Sequence, residues 1–153
     1  MPALYRNGVG IFLLNKNKKL WVGKRIDSDG KFWQMPQGGI DTGEKEDDAM
    51  KRELKEEIGT NNVNILMKSE DWFQYDLPKE IMKSIWKGKY NGQRQKWYAC
   101  EIVDDDNKIN LNYHKPEFSE WKWIEPRSAI DLVIPFKKSM YEKILDTFRD
   151  LYY

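Results

Sequence analysis

The stretch from Gly38 to Thr60, GGIDTGEKEDDAMKRELKEEIGT, constrains this chain most, because a glycine-rich turn runs straight into a segment with few options besides helix. Residues 44–57 contain no Gly, Pro or β-branched residue, so the pattern predicts a helix that Gly59 stops. Thr42 or Asp41 is the expected cap at its start, and Glu44, Glu46, Asp47 and Asp48 suit the positive end of the helix dipole. At about 100° per residue, Met50, Leu54 and Ile58 form one apolar stripe, and Glu53, Glu56 and Glu57 share the neighbouring sector. Asp48, Lys51 and Lys55 are left facing water. Carboxylates about 6 Å apart repel by at most about 3 kcal/mol per pair at an effective dielectric of about 20. A divalent cation removes that repulsion, and a set of oxygen-only donors selects Mg²⁺ or Mn²⁺ over zinc. The same spacing also describes a solvated Glu/Lys face, so both readings stand open at this point.

Composition narrows the class. A chain of 153 residues with 40% hydrophobic content is expected to form one domain, 1–153, with a core of its own. Charge is nearly balanced, 26 basic against 25 acidic residues, so a polyanion must be held by a local basic patch. The single cysteine, Cys100, excludes an intrachain disulfide and fits a reducing compartment. The longest apolar run, Val9 to Leu14, is far short of a membrane span, and no signal-peptide pattern shows. These features predict a soluble cytoplasmic protein that uses no membrane.

Along the chain, Gly8–Leu14 and Lys19–Arg25 read as a hairpin about the polar tetrad Asn15 to Lys18. Arg6, Lys24 and Arg25 lie at the ends of these runs, and their convergence near a carboxylate-bound metal would clamp phosphate. Pro36 marks a strand end before Gly38 and Gly39, whose missing side chains let backbone carbonyls face a ligand closely. Val63–Met67 and Trp72–Tyr75 read as strands broken at Lys68 to Asp71, and Gln93–Val103 as a half-buried strand containing a core Cys100. Between them, residues 78–92 form a basic and aromatic insertion suited equally to stacking bases or to simple packing. Asp104 to Asn107 reads as a hairpin tip, His114 as a solvated loop residue. Glu117 precedes the strand Glu120–Ile124, from where a carboxylate can reach a metal held by the helix. Pro135 opens a last helix whose core face is Tyr141, Ile144, Leu145, Phe148 and Leu151.

The set Gly38, Glu44, Arg52-Glu53-Leu54-Lys55-Glu56-Glu57-Ile58-Gly59 resembles the signature of the Nudix hydrolases, with residues 38–60 as the box and Thr60 standing where that pattern prefers an aliphatic residue. Tyr5-Arg6, Trp33 to Gly39, Tyr75-Asp76-Leu77-Pro78, Gly92 to Trp97, Pro116-Glu117-Phe118 and Pro135-Phe136-Lys137 resemble the branch holding bacterial RNA pyrophosphohydrolases and asymmetric diadenosine tetraphosphate hydrolases. The resemblance spans nearly the whole chain. It implies an α/β fold, an α/β/α sandwich around a mixed β-sheet flanked by helices.

For the site, the resemblance implies Mg²⁺ or Mn²⁺ bound by Glu53, Glu56, Glu57 and the Gly38 carbonyl, with Glu117 as a further ligand or as the base. It implies that Glu44 and Arg52 form a structural pair and that Tyr75 and Phe136 stack bases. Phosphate contacts then fall to Arg6, Lys24, Arg25, Lys96 and Lys137. The implied activity is metal-dependent hydrolysis of phosphoanhydrides. Its expected substrate is a 5′-triphosphorylated RNA end, whose trimming starts mRNA decay, or a dinucleoside polyphosphate. A nucleotide sensor without catalysis is the third reading, and intact Glu53, Glu56 and Glu57 count against it, because binding alone does not need three metal carboxylates.

Overall fold

The computed structural model describes residues 4–27 and 30–153. Eight strands form one sheet: β1 (Tyr5–Leu14), β2 (Leu20–Arg25), β3 (Trp33–Gln34), β4 (Gln37–Gly39), β5 (Val63–Lys68), β6 (Phe73–Asp76), β7 (Gly92–Ile102) and β8 (Phe118–Ile124). The helices are α1 (Glu46–Ile58), α2 (Lys79–Met82), α3 (Ala129–Leu132), α4 (Lys138–Thr147) and α5 (Arg149–Tyr152). The sheet is mixed. β1 and β7 run parallel along their whole length, from Tyr5 opposite Gly92 to Leu14 opposite Glu101, and every other pairing is antiparallel.

Each face of that central pair is covered by helix, which makes the expected α/β/α sandwich. One layer packs Met50, Leu54 and Ile58 of α1 onto Val9, Ile11, Leu13, Tyr98 and Cys100. The other packs Tyr141, Ile144, Leu145 and Phe148 onto Phe12, Trp97 and Ala99. β7, read as half-buried, is instead buried on both faces because a helix covers each, and Cys100 is, as read, a core thiol, whose pKa burial pushes up to about 12. No helix among the described residues is long and apolar enough to cross a membrane.

Three local expectations change. The turn at Asn15 to Lys18 closes as read, with the Lys18 N–H donating to the Asn15 carbonyl at 3.0 Å, but β1 and β2 pair only at Leu14 and Leu20. They part there because the glycine turn of β4 takes the edge of β1 at Gly8, Val9 and Gly10, while β2 turns to β3 and β8. Asp104 to Asn107 is not a hairpin tip, since β8 pairs with β2 rather than β7. Its first residue instead accepts the Thr60 hydroxyl at 2.6 Å and the Asn62 amide at 2.8 Å. Thr60 is thus accommodated in a buried position by a partner for its hydroxyl.

Nor does Thr42 or Asp41 cap α1. The helix starts at Glu46 after Lys45, with no side-chain cap, because the residues before it are engaged elsewhere. Asp41 and Glu44 close their own turn, and both turn toward Arg52. Glu46, Asp47 and Asp48 do fill the first turn. Gly59 ends the helix in the left-handed region at φ 86°, its N–H donating to the Lys55 carbonyl, a conformation that costs a glycine least.

The parallel pair at the centre tolerates no bulk at Gly10, where a Cβ would lie 2.2 Å from the Trp97 indole. Gly10→Ala is expected to cost about 1–3 kcal/mol in urea unfolding, the range for overpacking a dense core. Unchanged stability would mean that Trp97 does not seat against β1.

Candidate active site

The carboxyl edge of α1 meets the glycine turn of β4, and the contact is close. A Cβ on Gly38 would lie 2.0 Å from the Glu53 carboxyl carbon, so only glycine lets that glutamate rest on the turn. Glu57, from the next turn of the helix, is 4% exposed and accepts the Gln37 N–H through Oε1 at 3.0 Å. Its other oxygen, Oε2, is buried without a hydrogen-bond partner among the described residues. An unpaired carboxylate oxygen in that position is expensive unless it is protonated or meets a cation.

Arg52 binds the turn to the helix. Its Nε and Nη2 grip both oxygens of Glu44, at 2.8 and 2.9 Å, and Nη2 also donates to the Gly39 carbonyl at 2.9 Å. Glu44 is held down to a pKa of about 2, chiefly by that hydrogen bond. The expected structural pair is therefore present. Nη1 of the same guanidinium reaches Glu53 at 2.9 Å and Glu56 at 3.4 Å. As these side chains stand, no three acidic, histidine or cysteine groups among the described residues close around a single point, and Arg52 supplies the balancing charge.

These groups open onto a cavity of about 850 Å³, a volume suited to a nucleotide-sized ligand. Gly38, Glu53, Glu56, Glu57 and Glu117 line it, together with Arg6, Arg25, Lys137, Tyr75 and Phe136. Arg25 and Lys137 both donate to Gln34 Oε1, at 2.9 and 3.2 Å, so one buried amide positions two cations. Burial lowers the Lys137 ammonium to a pKa of about 7, with Arg25 as the second cause and Glu57 opposing. Tyr75 and Phe136 touch at 5.8 Å between centroids, and Tyr75 is buried beneath Lys137. No base fits between the two rings, which leaves the half-buried Phe136 as the more accessible platform.

Two predicted phosphate contacts stand elsewhere. Lys24 pairs with Glu120 at 3.2 Å over the Trp33 ring, its cross-strand neighbours on β8 and β3. Lys96 donates to the Glu70 carbonyl over Trp72, on the opposite face of β7 from Gln95 and Trp97. Neither lines the cavity. His114 is exposed, as read, yet it sits with Lys115 on the cavity wall. Sequence reasoning passed over Gln34, Gln37 and Asp27, which anchor Lys137, Glu57 and Arg25. Nothing in a lone amide or aspartate marks it as a neighbour of distant cations. The insertion contributes Ile81, Ser84, Ile85 and Trp86 to the wall.

In kind the donors fit a divalent cation: a buried, unpartnered carboxylate oxygen belongs to a residue of the cavity that Glu53, Glu56, Glu117 and the glycine turn also line. The NUDIX domain model matches residues 4–146. The chain belongs to the Nudix family. Among curated proteins, the RNA pyrophosphohydrolase of Novosphingobium aromaticivorans is 48% identical over 151 residues, covering 96% of this chain and 94% of its own. That of Pelagibacter ubique is 46% identical over 146 residues, covering 95% and 92%. Among solved structures, the E. coli dihydroneopterin triphosphate pyrophosphohydrolase aligns with a TM-score of 0.72 at 17% identity, over 94% of this chain and 99% of that one. A C. elegans Ap4A hydrolase complex aligns at 0.66 and 22%, over 95% and 98%. Both share the fold. Nudix membership makes the chain a hydrolase of phosphoanhydride bonds that depends on a divalent cation.

Burial is the first cause that raises Glu53, to a pKa of about 7, and it also raises Glu57 well above 4.5, with Glu117 adding to both shifts. A carboxyl whose folded pKa is raised keeps a proton that the unfolded chain has released. Metal-free protein should therefore lose stability as pH climbs from about 4.5 to about 7. Urea unfolding in chelator across that window is expected to show the fall, and Glu57→Gln to flatten it. A rise in stability over the window would contradict the burial of these groups.

Proposed function

We propose that the chain is an RNA pyrophosphohydrolase, which removes pyrophosphate from the 5′-triphosphorylated end of RNA with Mg²⁺ and so starts transcript decay. The observation that carries this reading is the cavity itself, which Glu53, Glu56, Glu57 and Glu117 line together with Arg6, Arg25 and Lys137 and which has room for a nucleotide and its phosphates. Identity of 42–48% to RNA pyrophosphohydrolases over nearly the whole chain favours the RNA end over other phosphoanhydrides.

In this reading Glu53, Glu56, Glu57, the Gly38 carbonyl and Glu117 hold the metal. When bound, Mg²⁺ supplies charge neutralisation on the phosphates and an acidified water. Arg25 and Lys137, held together by Gln34, bind phosphate oxygens with Arg6, and Phe136 receives the terminal base. Glu53 or Glu117 takes the proton of the attacking water. Water oxygen bonds to the α-phosphorus, the bridge to the β-phosphate breaks, and pyrophosphate leaves the 5′-monophosphorylated RNA. Arg52 and Glu44 take no part in the chemistry and keep the glycine turn against α1.

Side-by-side turnover of 5′-triphosphorylated RNA and diadenosine tetraphosphate with Mg²⁺ tests the substrate. RNA should be preferred in turnover over affinity, and a preference for the dinucleotide by orders of magnitude would transfer the assignment to that substrate. For the metal site, Glu57→Gln removes one ligand charge and is expected to lower turnover by at least about 100-fold at saturating Mg²⁺. Near-native turnover of that variant would remove Glu57 from the ligand set.

A further inference from the structure

Arg6 lines the cavity, yet it forms no salt bridge with a carboxylate among the described residues. Two neighbours hold its head instead. A Cβ on Gly39 would lie 2.1 Å from Arg6 Nη2, so the guanidinium rests directly on the glycine turn, and its central carbon is 5.3 Å from the centroid of the Trp86 ring. The placement follows from register: a period of two puts Arg6 on the face of β1 that carries Phe12, and Trp86 packs onto the core layer of that same face.

Trp86 belongs to the insertion, which the site otherwise uses only as wall. It and Lys87 adopt the left-handed region, at φ 50° and 58°. For a bulky residue that conformation is rare and unfavourable, and it persists only where its surroundings impose it. Tyr90 stands edge-on to the indole at 5.9 Å, and the Lys89 N–H closes the turn by donating to the Trp86 carbonyl at 3.1 Å. The ring is thus fixed where a cation can lie over it.

Arg6 has a second place to go. With Asp41, Glu44 and Tyr90 it also lines a separate polar pocket of about 380 Å³. Arg52 takes both oxygens of Glu44, but Asp41 is 3.5 Å from Arg52 and its side chain is 69% exposed, so it stays open to a second cation. Pairing with Asp41 would commit to a carboxylate the same N–H donors that a phosphate needs.

We infer that Trp86 is a positioning residue, whose indole keeps the Arg6 guanidinium at the cavity and away from Asp41, so that its donors remain available to the phosphates of the substrate. The inference rests on the phosphate role given to Arg6 above and holds for either phosphoanhydride substrate. A ring suits this task better than a carboxylate, because attraction to a π face fixes the place of the cation without neutralising its charge or occupying its N–H groups.

The test is steady-state kinetics on whichever of 5′-triphosphorylated RNA and diadenosine tetraphosphate the wild type turns over with Mg²⁺. Trp86→Leu is expected to raise KM about 5-fold, within the range for loss of one cation–π contact, with kcat unchanged. Trp86→Tyr should keep most of the wild-type affinity, and Asp41→Asn placed in the Trp86→Leu background should recover most of what was lost. In an Arg6→Gln background Trp86→Leu should add nothing, since the group it holds is gone. Additive losses there would mean that Trp86 acts on the substrate or the fold by itself and would overturn the inference, as would a native KM in Trp86→Leu or no recovery through Asp41→Asn. Native kinetics in Arg6→Gln alone would remove the phosphate role of Arg6 and the inference with it. If Arg6→Gln loses affinity while Trp86→Leu does not, that role stands and only the inference falls.

Discussion

Desolvation of carboxylates against a turn without side chains is the constraint around which this molecule is arranged. Glu53 and Glu57 are pressed onto Gly38 and Gln37, where water cannot offset their charge, and one oxygen of Glu57 is left with nothing to bind. Such an arrangement is unfavourable for folding by itself. It persists because Arg52 fastens the same helix to the same turn through Glu44 and the Gly39 carbonyl, at a cost to the natural start of the helix. Strain stored in this way is removed by a cation, which couples metal binding to stability.

The sheet brings this contact and the cations to one cavity. Parallel pairing of β1 with β7 is the rigid centre, and β4 inserts on the other edge of β1, so the glycine turn, Arg6 and the glutamines of β7 converge at one end of the sheet. Arg25 arrives from β2 and Lys137 from the segment before α4, both anchored on Gln34. Arg25 is also paired with Asp27, so that carboxylate and the shared amide oxygen together hold the two cations in register at the cavity wall.

Much of this was legible in the residues. The faces of α1 follow from three- and four-residue spacing, and Met50, Leu54 and Ile58 are buried while Asp48, Lys51 and Lys55 face water. The glycine turn and the Glu44–Arg52 pair were likewise readable, through the resemblance of the box. What could not be read are relations between strands. Lys24 and Lys96 are basic residues at the right distance along the chain but on the wrong side of their strands, and a period of two turns that choice into opposite faces. The hairpin failed for a similar reason, since a short stretch cannot show that β4 occupies the edge β2 would need.

The central claim is that the buried oxygen of Glu57 is built for a metal ion. Diffraction from crystals soaked in Mn²⁺, with anomalous maps calculated at the manganese edge, tests it most directly. A peak about 2.0–2.3 Å from Glu57 Oε2, with Glu53 or Glu56 as a second ligand, is the predicted result. A fully bound ion whose nearest protein ligands exclude Glu57 would contradict the account.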